Sequence, residues 1–110
     1  MYTLVTGDDA LVVHELTIGG VAQDVTGLTI KSRLIGKNCR TPLTEEIINS
    51  AVSAGADWGS GVVAVIVPGT ETVDISPALH PTVLLETQVN DGTYDKTWFA
   101  EIELVKGTIS

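Results

Sequence analysis

The sequence predicts an all-β protein: a two-sheet antiparallel β-sandwich of about seven strands, formed by residues 1–110 as one domain. Three observations carry that expectation. Valine, isoleucine and threonine recur along the whole chain, and β-branched side chains fit a pleated, half-buried surface better than a helix. Several stretches alternate apolar and polar residues with period two, and turn signals fall every ten residues or so. A single sheet of this apolar content would leave one face unburied, so two stacked layers are required.

Taken in order, residues 10 to 18 form an apolar, β-branched run ending at Gly19-Gly20, which reads as a hairpin turn with Val21 to Asp24 returning. Asp24-Val25-Thr26-Gly27 makes a corner, because Asp and Thr side chains bond the backbone of turns. From Leu28 to Leu34, Leu28, Ile30, Ser32 and Leu34 point one way while Thr29, Lys31 and Arg33 point the other. That is a strand with one wet face. Residues 41 to 56 support two readings. Leu43, Ile47 and Ala51 fall at helical spacing, giving a helix over 43–54, whereas Asn49, Ser50 and Ser53 are poor helix interior residues and favour a strand. The strand is preferred here, with the helix as its alternative.

Gly55, Gly59 and Gly61 punctuate a turn that carries Asp57 and Trp58. Val62 to Val67 is an unbroken aliphatic run, expected as a central strand buried on both faces. Pro68-Gly69 ends it. The prolines at 77 and 81 mark residues 70 to 81 as a crossover, with a short helical turn near 76–79. In the next strand Val83, Leu85, Thr87 and Val89 oppose Leu84, Glu86 and Gln88. Asn90-Asp91-Gly92 is the strongest hairpin signal in the chain. Beyond it Tyr94, Lys96, Trp98, Ala100, Ile102 and Leu104 alternate with Asp95, Thr97, Phe99, Glu101, Glu103 and Val105.

Composition narrows the function. A formal net charge of −8 argues against nucleic acid as the main partner, since counterion release needs clustered cations. The six basic residues are nevertheless uneven, and Lys31, Arg33, Lys37 and Arg40 fall within ten positions. This group reads either as a solvated strand and its turn or as a patch that docks on an acidic neighbour, another copy of the chain included. Cys39 is the only cysteine, so no internal disulfide can form. The amino terminus lacks the basic start and apolar run of a signal peptide, and no stretch approaches the length that crosses a bilayer. The expectation is a protein made and folded in the cytoplasm, with no membrane partner.

Candidate chemistry is sparse. A nucleophile triad needs a histidine, and the two present, His14 in a strand and His80 in a loop before Pro81, share no motif. Gly59-Ser60-Gly61 is not a nucleophile elbow, which places residues on both sides of the serine. Cys39 beside Arg40 reads as inert filler. Zinc spacing is missing, and aspartates at 8, 9, 57, 91 and 95 are explained by turn chemistry rather than by calcium. The expectation is a protein that is not an enzyme, with no catalytic residue, no metal and no cofactor. A carbohydrate-binding or adhesion module using Trp58 and a loop carboxylate such as Asp57 is the alternative.

The order of several segments resembles a known family, the immunoglobulin-like domain at the amino end of phage baseplate upper proteins and related small proteins of tails, necks and prophages. The segments are Gly7-Asp8-Asp9, then Asp24-Val25-Thr26-Gly27-Leu28-Thr29-Ile30, Gly61-Val62-Val63-Ala64-Val65, Thr70 to Thr72, and Leu85-Glu86-Thr87-Gln88-Val89 followed by Gly92 and Thr97-Trp98. This resemblance implies an immunoglobulin-like sandwich and a non-enzymatic virion component of a phage or prophage. It further implies docking to other tail or baseplate subunits and the capacity to form a homo-oligomer. Lys31, Arg33, Lys37, Arg40, Trp58 and Trp98 are the expected partner contacts.

Overall fold

The computed structural model describes residues 2–38, 40–49, 56–90, 92–93 and 95–106. Among these, the strands are β1 (Tyr2–Val5), β2 (Ala10–Glu15), β3 (Thr17–Ile18), β4 (Val21–Ala22), β5 (Ile30–Gly36), β6 (Ile47–Asn49), β7 (Val62–Val67), β8 (Thr82–Asn90) and β9 (Asp95–Val105). One helical turn, α1 (Gly69–Thr72), follows β7, and a 3-10 turn covers Trp58–Ser60. The all-β expectation is met.

Five strands form one sheet in the order β1-β9-β8-β5-β6, β2 pairs with β7 in a second, and β3 pairs with β4 in a small hairpin. The sheets face one another across a single apolar cluster. The five-stranded sheet contributes Leu4, Ile30, Leu34, Val83, Leu85, Val89, Ile102 and Leu104, and the two-stranded sheet contributes Val12, Val63, Val65 and Val67. The alternation read in the sequence predicts these inward positions on β5, β8 and β9. The neighbouring strands pair in antiparallel register except β1, which runs parallel to β9 with Leu4 opposite Leu104.

Local chemistry sets the turns. Gly19 and Gly20 both take positive φ, 59° and 82°, which is what a two-residue primed turn between right-twisted strands demands. At the corner that follows, the Thr26 N–H donates to Asp24 Oδ1 at 2.9 Å and the Leu28 N–H to the Val25 carbonyl at 3.1 Å. The hydroxyl and N–H of Thr26 hold the Asp24 carboxyl below its ordinary range. At the β8–β9 hairpin, Asn90 Oδ1 accepts from the Gly92 N–H and Asn90 Nδ2 donates to Asp95 Oδ1, each at 2.7 Å.

Three expectations need correction or refinement. Val62–Val67 is not a central strand: among the described residues β2 is the one strand that pairs along β7, with a single bridge from Val62 to Asp57 besides, and Ile66 is half exposed on its outer side. Its unbroken aliphatic run reflects an outer face that also carries apolar Leu11 of β2, directly opposite Ile66. Within the ambiguous stretch, Ile47–Asn49 is strand, because its backbone completes the edge of β5. Residues 50–55 lie outside the described residues, as do Cys39, Asp91 and Tyr94. The crossover is more ordered than a loop with one turn. The turn at 76–79 is present, with the Leu79 and His80 N–H groups both directed at the Ser76 carbonyl, and α1 precedes it.

Candidate docking face

The four clustered basic residues come together on the outer face of the five-stranded sheet. Lys31 and Arg33 are outward positions of β5, and the cross-strand register places them in rows. One row reads Lys31, Gln88, Thr97 and the next Arg33, Glu86, Phe99, followed by Ile35, Leu84, Glu101. The Arg33 Nε donates to Glu86 Oε1 at 2.9 Å, and Lys37 Nζ reaches Glu101 Oε1 at 2.9 Å. Arg40, held at a φ of 55°, lies over the Phe99 ring with its guanidinium carbon 4.6 Å from the centroid. Guanidinium and ring attract through the quadrupole of the ring face.

This arrangement changes the electrostatic character expected from sequence. The patch is not uniformly basic, since β8 and β9 supply a carboxylate beside Arg33 and another beside Lys37. It is a face of mixed charge with a half-exposed aromatic, Phe99, beside Arg40. Phe99 was not among the expected contacts, although its outward position follows from the alternation of β9. Its neighbour Arg40 is 59 positions away along the chain, and only the fold joins them.

The tryptophans part company. Trp58 is only 4% exposed and belongs to the core. It is therefore corrected from contact residue to core residue, because the 3-10 turn after Asp57 directs the indole inward and its carbonyl accepts the Val25 N–H at 3.0 Å. With Trp58 buried, the sugar-stacking platform of the carbohydrate alternative has no tryptophan at that loop. Trp98 is half-buried on the inner side of β9, where its Nε1–H donates to the Thr17 carbonyl at 2.9 Å and ties the β3–β4 hairpin to the sheet.

The histidines occupy different surroundings. His14 is an inward position of β2 opposite Val63, and burial pushes its pKa below 6.5. Its Nδ1 is buried and has no hydrogen-bond partner among the described residues. His80 instead lines a cleft with Glu45, Glu71 and Asp74, which His14 does not enter. Among the described residues no group of three His, Cys, Asp or Glu is placed to hold a metal ion. No helix there is long and apolar enough to cross a membrane.

No protein-family model matches this chain, and no curated protein matches it. Among solved structures, the N-terminal domain of phage TP901-1 ORF48 is similar. The TM-score is 0.59 at 13% identity, over 94% of this chain and 83% of that one. The chain shares the fold of that phage domain.

Proposed function

We propose that this protein is a non-enzymatic structural or adaptor component of a phage or prophage virion, docking to other tail or baseplate subunits. The observation that carries the reading is the shared fold with the N-terminal domain of phage TP901-1 ORF48 along nearly the whole chain. The immunoglobulin-like baseplate resemblance in the sequence supports it independently. Docking uses the outer face of the five-stranded sheet, where Lys31, Arg33, Lys37 and Arg40 lie and Arg40 stands over Phe99, giving a partner both charge and an aromatic anchor.

The test is the composition of purified particles from the phage or lysogen that encodes the chain. Mass spectrometry should find the protein in stoichiometric amount, and gold-labelled antibody should mark the tail rather than the capsid. Its absence from infectious particles refutes the proposal. A particle assembled with Phe99→Ala and Arg40→Glu should lose the protein while the isolated variant stays folded. Sedimentation of the isolated chain reports whether it self-associates.

A further inference from the structure

We propose that the cleft between the β5–β6 connection and the segment after β7 is a second docking site, for a partner-protein segment that sets a Lys or Arg beside an apolar side chain. The cleft is an open depression of about 570 Å³, the size of a small-molecule site. Its walls are fixed in advance. The Leu43 N–H donates to the Leu34 carbonyl at 2.8 Å, Thr44 Oγ1 accepts from the Leu34 N–H at 3.0 Å, and the Glu45 N–H donates across the cleft to Glu71 Oε1 at 2.8 Å. On the far wall the Ile75 N–H bonds the Thr72 carbonyl at 2.9 Å. A preformed cleft spends little ordering entropy on binding.

The lining states what kind of occupant fits. Leu43 packs against the core and Ile75 belongs to it, while Leu79 stands at the rim 78% exposed. An apolar side chain that open, beside an apolar floor, gains by being covered. Around this floor stand Glu45, Glu71 and Asp74, and among the described residues no Lys or Arg lines the cleft. Lys37, which lines an adjoining hollow with Leu79 and His80, is drawn away by Glu101. Carboxylates around an apolar floor complement a cation flanked by an apolar group. A second copy of the chain is a poor occupant, because, of its clustered basic residues, Arg33 and Lys37 are already paired with Glu86 and Glu101 and Arg40 lies over Phe99. The cleft lies off the sheet face already assigned to docking, and this inference holds whether or not the protein is a virion component.

The experiment is a titration of the isotopically labelled full chain by nuclear magnetic resonance. The probe is a short peptide alternating lysine and leucine, with three controls: glutamate replacing lysine, serine replacing leucine, and free arginine amide. Saturable shifts at residues 43–45, 70–76 and 79–80 are expected with the lysine–leucine peptide, weakened by added salt. Glu45→Gln with Asp74→Asn should weaken binding by about tenfold, the sum expected for two exposed charge pairs. Leu79→Ser should weaken it by about fivefold through lost apolar contact. All three positions are at the surface, so the variants' own spectra confirm folding. Three results would each overturn the proposal: no saturable shift, equal affinity for the glutamate peptide, or equal affinity for arginine amide, which would mark a small-amine site. Neither this success nor this failure bears on whether the protein is found in particles.

Discussion

The hydroxyls of Ser32 and Thr87 face each other at 3.3 Å across the β5–β8 register, both sealed in the interior between the sheets. They form a polar pair in an aliphatic core. Each satisfies the other, and neither Ile30 and Leu34 on one side nor Leu85 and Val89 on the other can do so. Thr87→Val keeps the shape and strands the Ser32 hydroxyl. It should cost about 1–2 kcal/mol in denaturant unfolding, the penalty for a buried group left without a partner. Ser32→Ala with Thr87→Val should cost less than the sum of the single changes, with a coupling of at least about 0.5 kcal/mol. Additive losses would show that the two hydroxyls do not depend on each other.

Gly69 opens α1 where the chain leaves β7, and its backbone is pressed against the β1–β2 loop. A Cβ there would collide with the Gly7 carbonyl oxygen. The contact is fixed from both sides, since the Gly69 N–H donates to Asp9 Oδ1 at 2.7 Å and the Gly7 N–H to Thr72 Oγ1 at 3.0 Å. Neither backbone can retreat without breaking a bond. Gly69→Ala should therefore destabilise by on the order of 2–3 kcal/mol, read as a lower denaturant midpoint at unchanged slope. A loss under about 0.5 kcal/mol, the usual surface value, would contradict this packing.

His14 makes stability depend on pH. Burial holds its folded pKa below the ordinary 6.5, so the unfolded chain takes up the proton first as pH falls. Stability is full above 6.5 and declines as the pH drops below it, until the folded state also protonates. His14→Leu removes both the titration and the unpartnered Nδ1. Unfolding curves at a series of pH values from neutral downward should show a shallower decline for the variant than for the parent. Parallel declines would place the acid sensitivity elsewhere.

Where the sequence was readable, the reason was solvent on one side of a sheet. β5 up to Leu34, β8 from Leu85 onward and β9 each set inward positions against wetter outward ones, and period-two alternation follows there; outward Ile35 and Leu84 are buried and break it. β1 was missed because only Leu4 is buried in its four residues, and its parallel place beside β9 is settled by tertiary contact. α1 was missed for a similar reason: four residues carry no period, and Gly69 is fixed by a loop 60 positions earlier. β7 misled because apolar residues on its outer face mimic full burial. For the candidate docking face, the clustering of Lys31, Arg33, Lys37 and Arg40 was legible in the chain. Their carboxylate neighbours and Phe99 were not, since strand register alone brings them there.

The two tryptophans give a direct optical check on this division between core and surface. Trp58 sits in the apolar cluster, whereas Trp98 is half-buried with its Nε1–H on the Thr17 carbonyl. In Trp98→Phe only Trp58 remains to emit. Its fluorescence should be blue-shifted and resist iodide, because the quencher cannot reach a buried indole. The same substitution keeps an aromatic ring on β9 but removes the donor that anchors the hairpin. It should cost about 1 kcal/mol, the net worth of one hydrogen bond. Amide exchange should accelerate in β3 and β4 well before it does in β8, because local opening of a two-residue ladder costs far less than opening the central sheet. Strong iodide quenching of Trp58 in this variant would put that side chain at the surface and return the carbohydrate reading to contention.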